Sequence, residues 1–186
     1  MADITPSVCV YCGSRLGARP AHAAAAQDLG RQMAGAGWRL VYGAGDVGLM
    51  GEVARAHQFA GGETLGVIPT HLLNREVGKR DLTQFVITET MHERKKVMFM
   101  NADAIVVLPG RAGSLDEFFQ LLTWRQLGLH AKPIYLLNIE GYWDGLTGLI
   151  AHTIREGFAD ESLAGFVTSL PDVPALMGAL RGDLAG

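Results

Sequence analysis

The sequence has no surplus of basic residues: 16 Lys and Arg stand against 19 Asp and Glu, a formal charge of −3. This excludes a general attraction to nucleic acid or to an anionic membrane, so any phosphate must be recognised locally. Long apolar runs are also missing. The strongest, 104–108 and 134–137, fall far short of the roughly 20 residues that a membrane span needs. The first residues, Met1-Ala2-Asp3-Ile4-Thr5-Pro6, show no basic stretch followed by an apolar one, so no secretory signal is expected and the expected compartment is the cytoplasm. Cysteine is scarce. Cys9 and Cys12 have the spacing of a redox pair, but they lie in the apolar run Val8-Cys9-Val10-Tyr11-Cys12 instead of opening a helix, which favours a buried strand. No second pair exists to complete a zinc site.

What is present is an ordinary globular composition, 48% hydrophobic and 19% charged over 186 residues, enough for one domain spanning 1–186. Short β-rich runs alternate with longer helical ones. Strands are expected at 7–11, 39–42, 64–68, 85–88, 104–108 and 134–137, with a further short run at 166–168. Helices are expected at 20–36, 49–60, 91–102, 114–127, 143–156 and 174–181. Several strands are apolar at nearly every position, which suits strands covered on both faces. The fold class expected is therefore α/β, a single-domain Rossmann-like, doubly wound parallel sheet, with ligands beyond the carboxyl ends of its strands.

Two glycine-rich loops follow strands. Gly43-Ala44-Gly45-Asp46-Val47-Gly48 matches a dinucleotide fingerprint, and Glu63 stands twenty residues after Gly43. The motif follows the second strand, however, and Glu63 precedes the third strand instead of ending it, which argues against a dinucleotide oxidoreductase. The local reading remains: glycines let backbone amides approach a phosphate or ribose at a helix start, unless the loop is only a tight turn. The second loop, Pro109-Gly110-Arg111-Ala112-Gly113, leads into Ser114, expected to cap the next helix, with exposed amides that favour an anion. It lacks the ending of a Walker A sequence. Leu115, Phe118, Phe119 and Leu122 have helical spacing and are expected to pack on the sheet. Glu117, three residues after Ser114, could complete a capping box or face a ligand. Asp116 points about 100° away from it, so only one of the two acids is expected at the ligand. Upstream, Met91-His92-Glu93-Arg94-Lys95-Lys96 opens a helix with basic residues, against the dipole. A solvated charged face is the plain explanation, and His92 alone reads as structural or solvent-facing.

These segments together resemble the Lonely Guy family of cytokinin riboside 5′-monophosphate phosphoribohydrolases, also labelled "possible lysine decarboxylase". The family hallmark Pro-Gly-Gly-x-Gly-Thr-x-x-Glu corresponds to Pro109–Glu117. The other matches are Val10–Ser14, Val41–Gly45 with Gly48–Gly51, Met91–Lys95 and Leu122–Gly128, in family order. The resemblance implies hydrolysis of an N-glycosidic bond in an adenine-type nucleoside monophosphate. It implies catalytic positions at Glu117 and Arg94, and substrate contacts at Glu76, Lys95, Arg111, Ala112, Gly113, Ser114, Leu115, Asp116 and Thr123; Gly43 and Gly45 join them from the local reading of their loop.

A carboxylate near the anomeric carbon suits a reaction that builds positive charge on the ribose. No metal or organic cofactor is required, and the expected partners are a small nucleoside monophosphate and a second copy of the chain. A decarboxylase using pyridoxal phosphate finds no lysine in a recognisable Schiff-base context. Arg111 replaces the second glycine of the hallmark, Ser114 its threonine, and Ala44 the middle glycine of the family's Gly-Gly-Gly. The alternative reading is a non-catalytic nucleotide-binding protein whose loop is impaired by Arg111.

Overall fold

The computed structural model describes residues 5–73 and 81–185. In chain order these form β1 (Ser7–Tyr11), α1 (Pro20–Gly35), β2 (Arg39–Tyr42), α2 (Gly48–Phe59), β3 (Thr64–Pro69), β4 (Gln84–Thr88), α3 (Met91–Met100), β5 (Ala104–Val107), α4 (Ala112–Gln126), β6 (Ile134–Leu137), α5 (Asp144–Arg155), β7 (Thr168–Leu170) and α6 (Val173–Leu184). The strands make one sheet in the order β4-β3-β2-β1-β5-β6-β7. Every pairing is parallel.

The apolar strands have the cause inferred for them. Alternate residues point to opposite faces, and both faces are covered. Val8, Val10, Leu40, Tyr42, Val106 and Leu108 pack under α1, α2 and α6. Cys9, Tyr11, Val41, Ile105, Val107 and Leu136 pack under α3, α4 and α5. Both cysteines are buried. The strand order reverses between β1 and β5, so the loops leaving these two strands diverge and leave a crevice.

Three details differ from expectation. The last strand is Thr168–Leu170, set by the register Tyr135↔Thr168, while Phe166 ends a 3-10 turn (Glu161–Phe166) and packs against the core. Ser114 does not cap α4. The helix begins at Ala112, Arg111 takes the cap position with no side-chain cap bond, and Ser114 lies buried inside the first turn. Its capping box with Glu117 is therefore absent, and the capping box occurs on α3, where Thr90 accepts from the Glu93 amide at 3.1 Å and Glu93 Oε2 accepts from the Thr90 amide at 3.2 Å. Phe119 also departs from the packing reading: Phe118 and Leu122 enter the core, but Phe119 is exposed.

α1 and α2 cross at close range on Gly30. A Cβ there would stand 2.4 Å from the Val53 carbonyl oxygen and 3.0 Å from the His57 amide. The His57 ring is sandwiched at this crossing, Nδ1 3.0 Å from the Gly30 carbonyl oxygen and Nε2 3.0 Å from that of Glu63; burial pushes its pKa down. Gly30→Val is therefore expected to destabilise the fold by about 2–3 kcal/mol, the usual cost of overpacking. Gly35→Ala, where a Cβ meets nothing within 4 Å, should be neutral or gain up to about 1 kcal/mol from helix propensity. Urea unfolding of both variants measures the contrast.

Candidate functional site

Three loops meet at the carboxyl ends of the central strands, and Gly13 joins them. Its amide donates to the Pro109 carbonyl at 3.0 Å, and its own carbonyl accepts from the Leu49 amide at 3.0 Å. A Cβ on Gly13 would reach 3.3 Å from Gly110 Cα. Gly48, at φ 57°, comes so close to the β1 loop that a Cβ would lie 2.2 Å from the Arg15 amide nitrogen. The last glycine of the apparent fingerprint thus serves backbone-on-backbone packing. Glu63 stands exposed ahead of β3, at the wrong end of that strand for a ribose.

Beside this junction lies a cleft of about 390 Å³. One wall holds Arg94, only 5% exposed. Its Nε donates to the Val67 carbonyl at 3.0 Å and its Nη2 to the Gly43 carbonyl at 2.8 Å. A Cβ on Gly43 would stand 1.9 Å from Nη2, so Gly43 is the place where the guanidinium lies. Arg94 and Lys95 are therefore not a solvated face. The capping box of α3 supplies the dipole compensation that they withhold.

The opposite wall is the start of α4. Arg111, Ala112, Gly113 and Ser114 line the cleft. The first-turn amides of a helix have no intrahelical acceptor, and here neither a side-chain cap nor an acidic first-turn residue serves them. Gly110 leaves room for Ser114, whose Oγ would be 2.1 Å from a Cβ at that position. Glu117, half-buried one turn in, also lines the cleft. Asp116 does not: it is 62% exposed and pairs outward with Lys95 Nζ at 2.9 Å. The floor includes Tyr11, whose phenol burial pushes well above its ordinary pKa; the Glu117 charge adds to the rise and Arg94 offsets it. Cys9 behind it is raised for the same leading reason.

The structure thus brings together Gly43, Arg94, Arg111, Ala112, Gly113, Ser114 and Glu117. Gly45, Lys95, Leu115, Asp116 and Thr123 do not line this cleft. Asp116 and Thr123 sit on the outward side of α4. Glu76 lies outside the described residues. Tyr11, Ser14, Met50 and Met98 line the cleft unforeseen; the rule that ligands sit beyond strand ends could have found Ser14. Among the described residues, no group of three or more His, Cys, Asp or Glu is placed to hold a metal ion, and no helix is long and apolar enough to cross a membrane.

The model of one protein family, described as possible lysine decarboxylase, matches residues 50–180. The chain belongs to this family. Its curated relatives within the family include a probable cytokinin riboside 5′-monophosphate phosphoribohydrolase of Oryza sativa subsp. japonica, 43% identical over 94% of this chain and 77% of that protein. A cytokinin riboside 5′-monophosphate phosphoribohydrolase of Arabidopsis thaliana is 38% identical over 94% of this chain and 82% of its own. Among solved structures, the molybdenum cofactor carrier protein of Chlamydomonas reinhardtii superposes with a TM-score of 0.75 at 22% identity, covering 98% of this chain and 100% of that one. That last likeness is one of fold. It confirms the Rossmann-like parallel α/β class for this family member.

Gly43→Ala is expected to push the Arg94 guanidinium off its two carbonyl anchors and cost about 1–3 kcal/mol, the penalty for buried polar groups left unpaired. Because the clash and the anchors are one interaction, Gly43→Ala with Arg94→Met should cost less than the sum of the two single changes. A double-mutant cycle by urea unfolding tests this; strict additivity would refute the coupling.

Proposed function

We propose that this chain hydrolyses the N-glycosidic bond of cytokinin riboside 5′-monophosphates, and of AMP, releasing free base and ribose 5-phosphate. The observation that carries this reading is one cleft holding a buried guanidinium, a half-buried carboxylate and an uncapped helix start. Water adds across the C1′–N9 bond: the ribose gains the hydroxyl and the base leaves with a proton. The 5′-phosphate sits on the amides of Ala112, Gly113 and Ser114, where the α4 dipole and the Ser114 hydroxyl favour an anion. Glu117, one turn deeper, faces the anomeric carbon. There it stabilises the developing oxocarbenium charge and takes the proton of the attacking water. Arg94, locked by two carbonyls, is preorganised to orient the substrate. Arg111 at the α4 cap position adds a phosphate contact, and Gly43 meets the substrate beside the Arg94 guanidinium that its carbonyl holds, with Gly45 following in the same loop.

Lys95, Leu115, Asp116 and Thr123 act on the substrate from outside this cleft in a homodimer, and Glu76 is a further substrate contact. Asp116, Phe119, Thr123 and Leu127 recur at three- and four-residue spacing and are all exposed, forming one outward stripe. Leu127 and Leu129 are each 67% exposed, an apolar surface of the kind that a second copy covers. Residues 1–186 act as one nucleotide-binding domain in the cytoplasm.

Incubating the purified protein with AMP and with N6-isopentenyl-AMP should yield free base and ribose 5-phosphate. Glu117→Ala should slow release by roughly 10²–10⁴-fold, the range for loss of a positioned acid–base group. Nucleotide binding with no release by the parent protein would overturn the reading. Arg111→Gly should raise KM for the monophosphate about tenfold with kcat little changed, since a phosphate contact held equally in ground and transition states acts on binding; a faster variant would show that the arginine obstructs the loop.

A further inference from the structure

A second cleft, of about 480 Å³, lies on the far side of the Gly13–Gly110 junction. It is larger than the cleft assigned to the nucleotide, and nothing in the proposed reaction uses it. It lies at the start of α1 as the first cleft lies at the start of α4. α1 runs for sixteen residues, its cap residue Arg19 makes no side-chain cap bond, and no acidic residue stands in its first turn. The helix dipole is therefore unopposed by side-chain charge. Pro20 carries no N–H, however, and the His22 amide donates to the Arg19 carbonyl at 3.2 Å, so the cations of the cleft and not the helix amides are what an anion would meet.

Three arginines line this cleft: Arg15, Arg19 and Arg111. Arg19 is engaged by Glu140, with Nη1 3.0 Å from Oε2. Arg15 and Arg111 are exposed and have no ion-pair partner among the described residues. Glu140 is the single carboxylate among the lining residues, so the positive charge there is uncompensated.

The second, independent observation is His22. It lines the same cleft, is only 5% exposed, and its Nε2 has no hydrogen-bond partner among the described residues. Its ring meets that of Tyr142 edge to face, centroids 5.5 Å apart, and the Tyr142 hydroxyl donates to the Gly110 carbonyl on the junction itself. A buried imidazole nitrogen without a partner is costly, and the great majority of such groups in native proteins are paired. Nε2 is enclosed, and it is the Nδ1 edge of the ring that faces Gly17 in the cleft wall, 2.9 Å from where a Cβ there would stand. Leu16 and Leu49 add apolar surface beside the rings.

We propose that this cleft is a second ligand site, for a phosphomonoester of mononucleotide size. Its phosphate meets Arg15 and Arg19. Its less polar body lies against Leu16, Leu49 and the Tyr142 ring. Arg111 lines both clefts, so a ligand here shares one cation with the phosphate of the first site, and the two ligands oppose each other through competition for it.

The test counts AMP bound per chain by equilibrium dialysis, using Glu117→Ala so that the nucleotide stays intact. Two AMP per chain are expected. Adding Arg15→Ala and Arg19→Ala should weaken the second by tenfold or more, as loss of charge-assisted contacts requires, and leave the first unchanged. The ¹⁵N signal of His22 should shift on saturation in Glu117→Ala and not in the triple variant. Both arginines are exposed, so thermal unfolding should match between the two proteins. One AMP per chain, or two that ignore both arginine replacements, would overturn the proposal. If the parent protein does not hydrolyse AMP, the same count is made on it directly, so failure of the hydrolase reading leaves this result interpretable.

Discussion

The buried guanidinium of Arg94 is the constraint around which the site is arranged. A cation taken out of water must be held by hydrogen bonds and nearby charge or it destabilises the fold. This chain holds it with two carbonyls, Val67 on β3 and Gly43 just beyond β2. That requirement explains several otherwise separate features. Gly43 has no side chain because Nη2 occupies the place of one. The first turn of α3 places Arg94 and Lys95 inward against its own dipole, and the Thr90–Glu93 capping box offsets the resulting strain on the helix start. The reward is a cation already oriented before a ligand arrives.

The topology supplies the rest. Reversal of strand order between β1 and β5 opens a crevice at one edge of the sheet, and two uncapped helix starts, those of α1 and α4, flank it. Gly13 ties the loop after β5 to the start of α2 through bonds to Pro109 and Leu49, and this backbone junction lies between the two clefts. Arg111 stands at that division. Its place at the α4 cap, where the family has glycine, explains how one substitution can touch both clefts.

Much of the fold was legible because the central strands are apolar at nearly every position and longer helical runs alternate with them, and the two periods do not resemble one another. Helix starts were less legible. Ser114 has the chemistry of a cap, but the extended backbone at Arg111 (φ −109°, ψ −160°) lets the helix begin two residues earlier, and Ser114 packs beneath Gly110 instead. Phe119 followed the spacing of core residues yet faces outward, because periodicity places residues on a face within about 100° and not more finely.

The sequence by itself determined the parallel α/β class, the two glycine loops and the pairing of a basic α3 start with an acid one turn into α4, since these depend on local pattern and chemistry. Only the tertiary structure decided between Asp116 and Glu117: one turns to Lys95 and solvent, the other into the cleft. It also decided that Gly43 makes room for Arg94 and Gly48 for the β1 loop, where the pattern alone suggested a dinucleotide. The reason is common to both. Which side chain or ligand fills the space beside a glycine depends on strands and loops distant in sequence, and local pattern carries no information about that meeting.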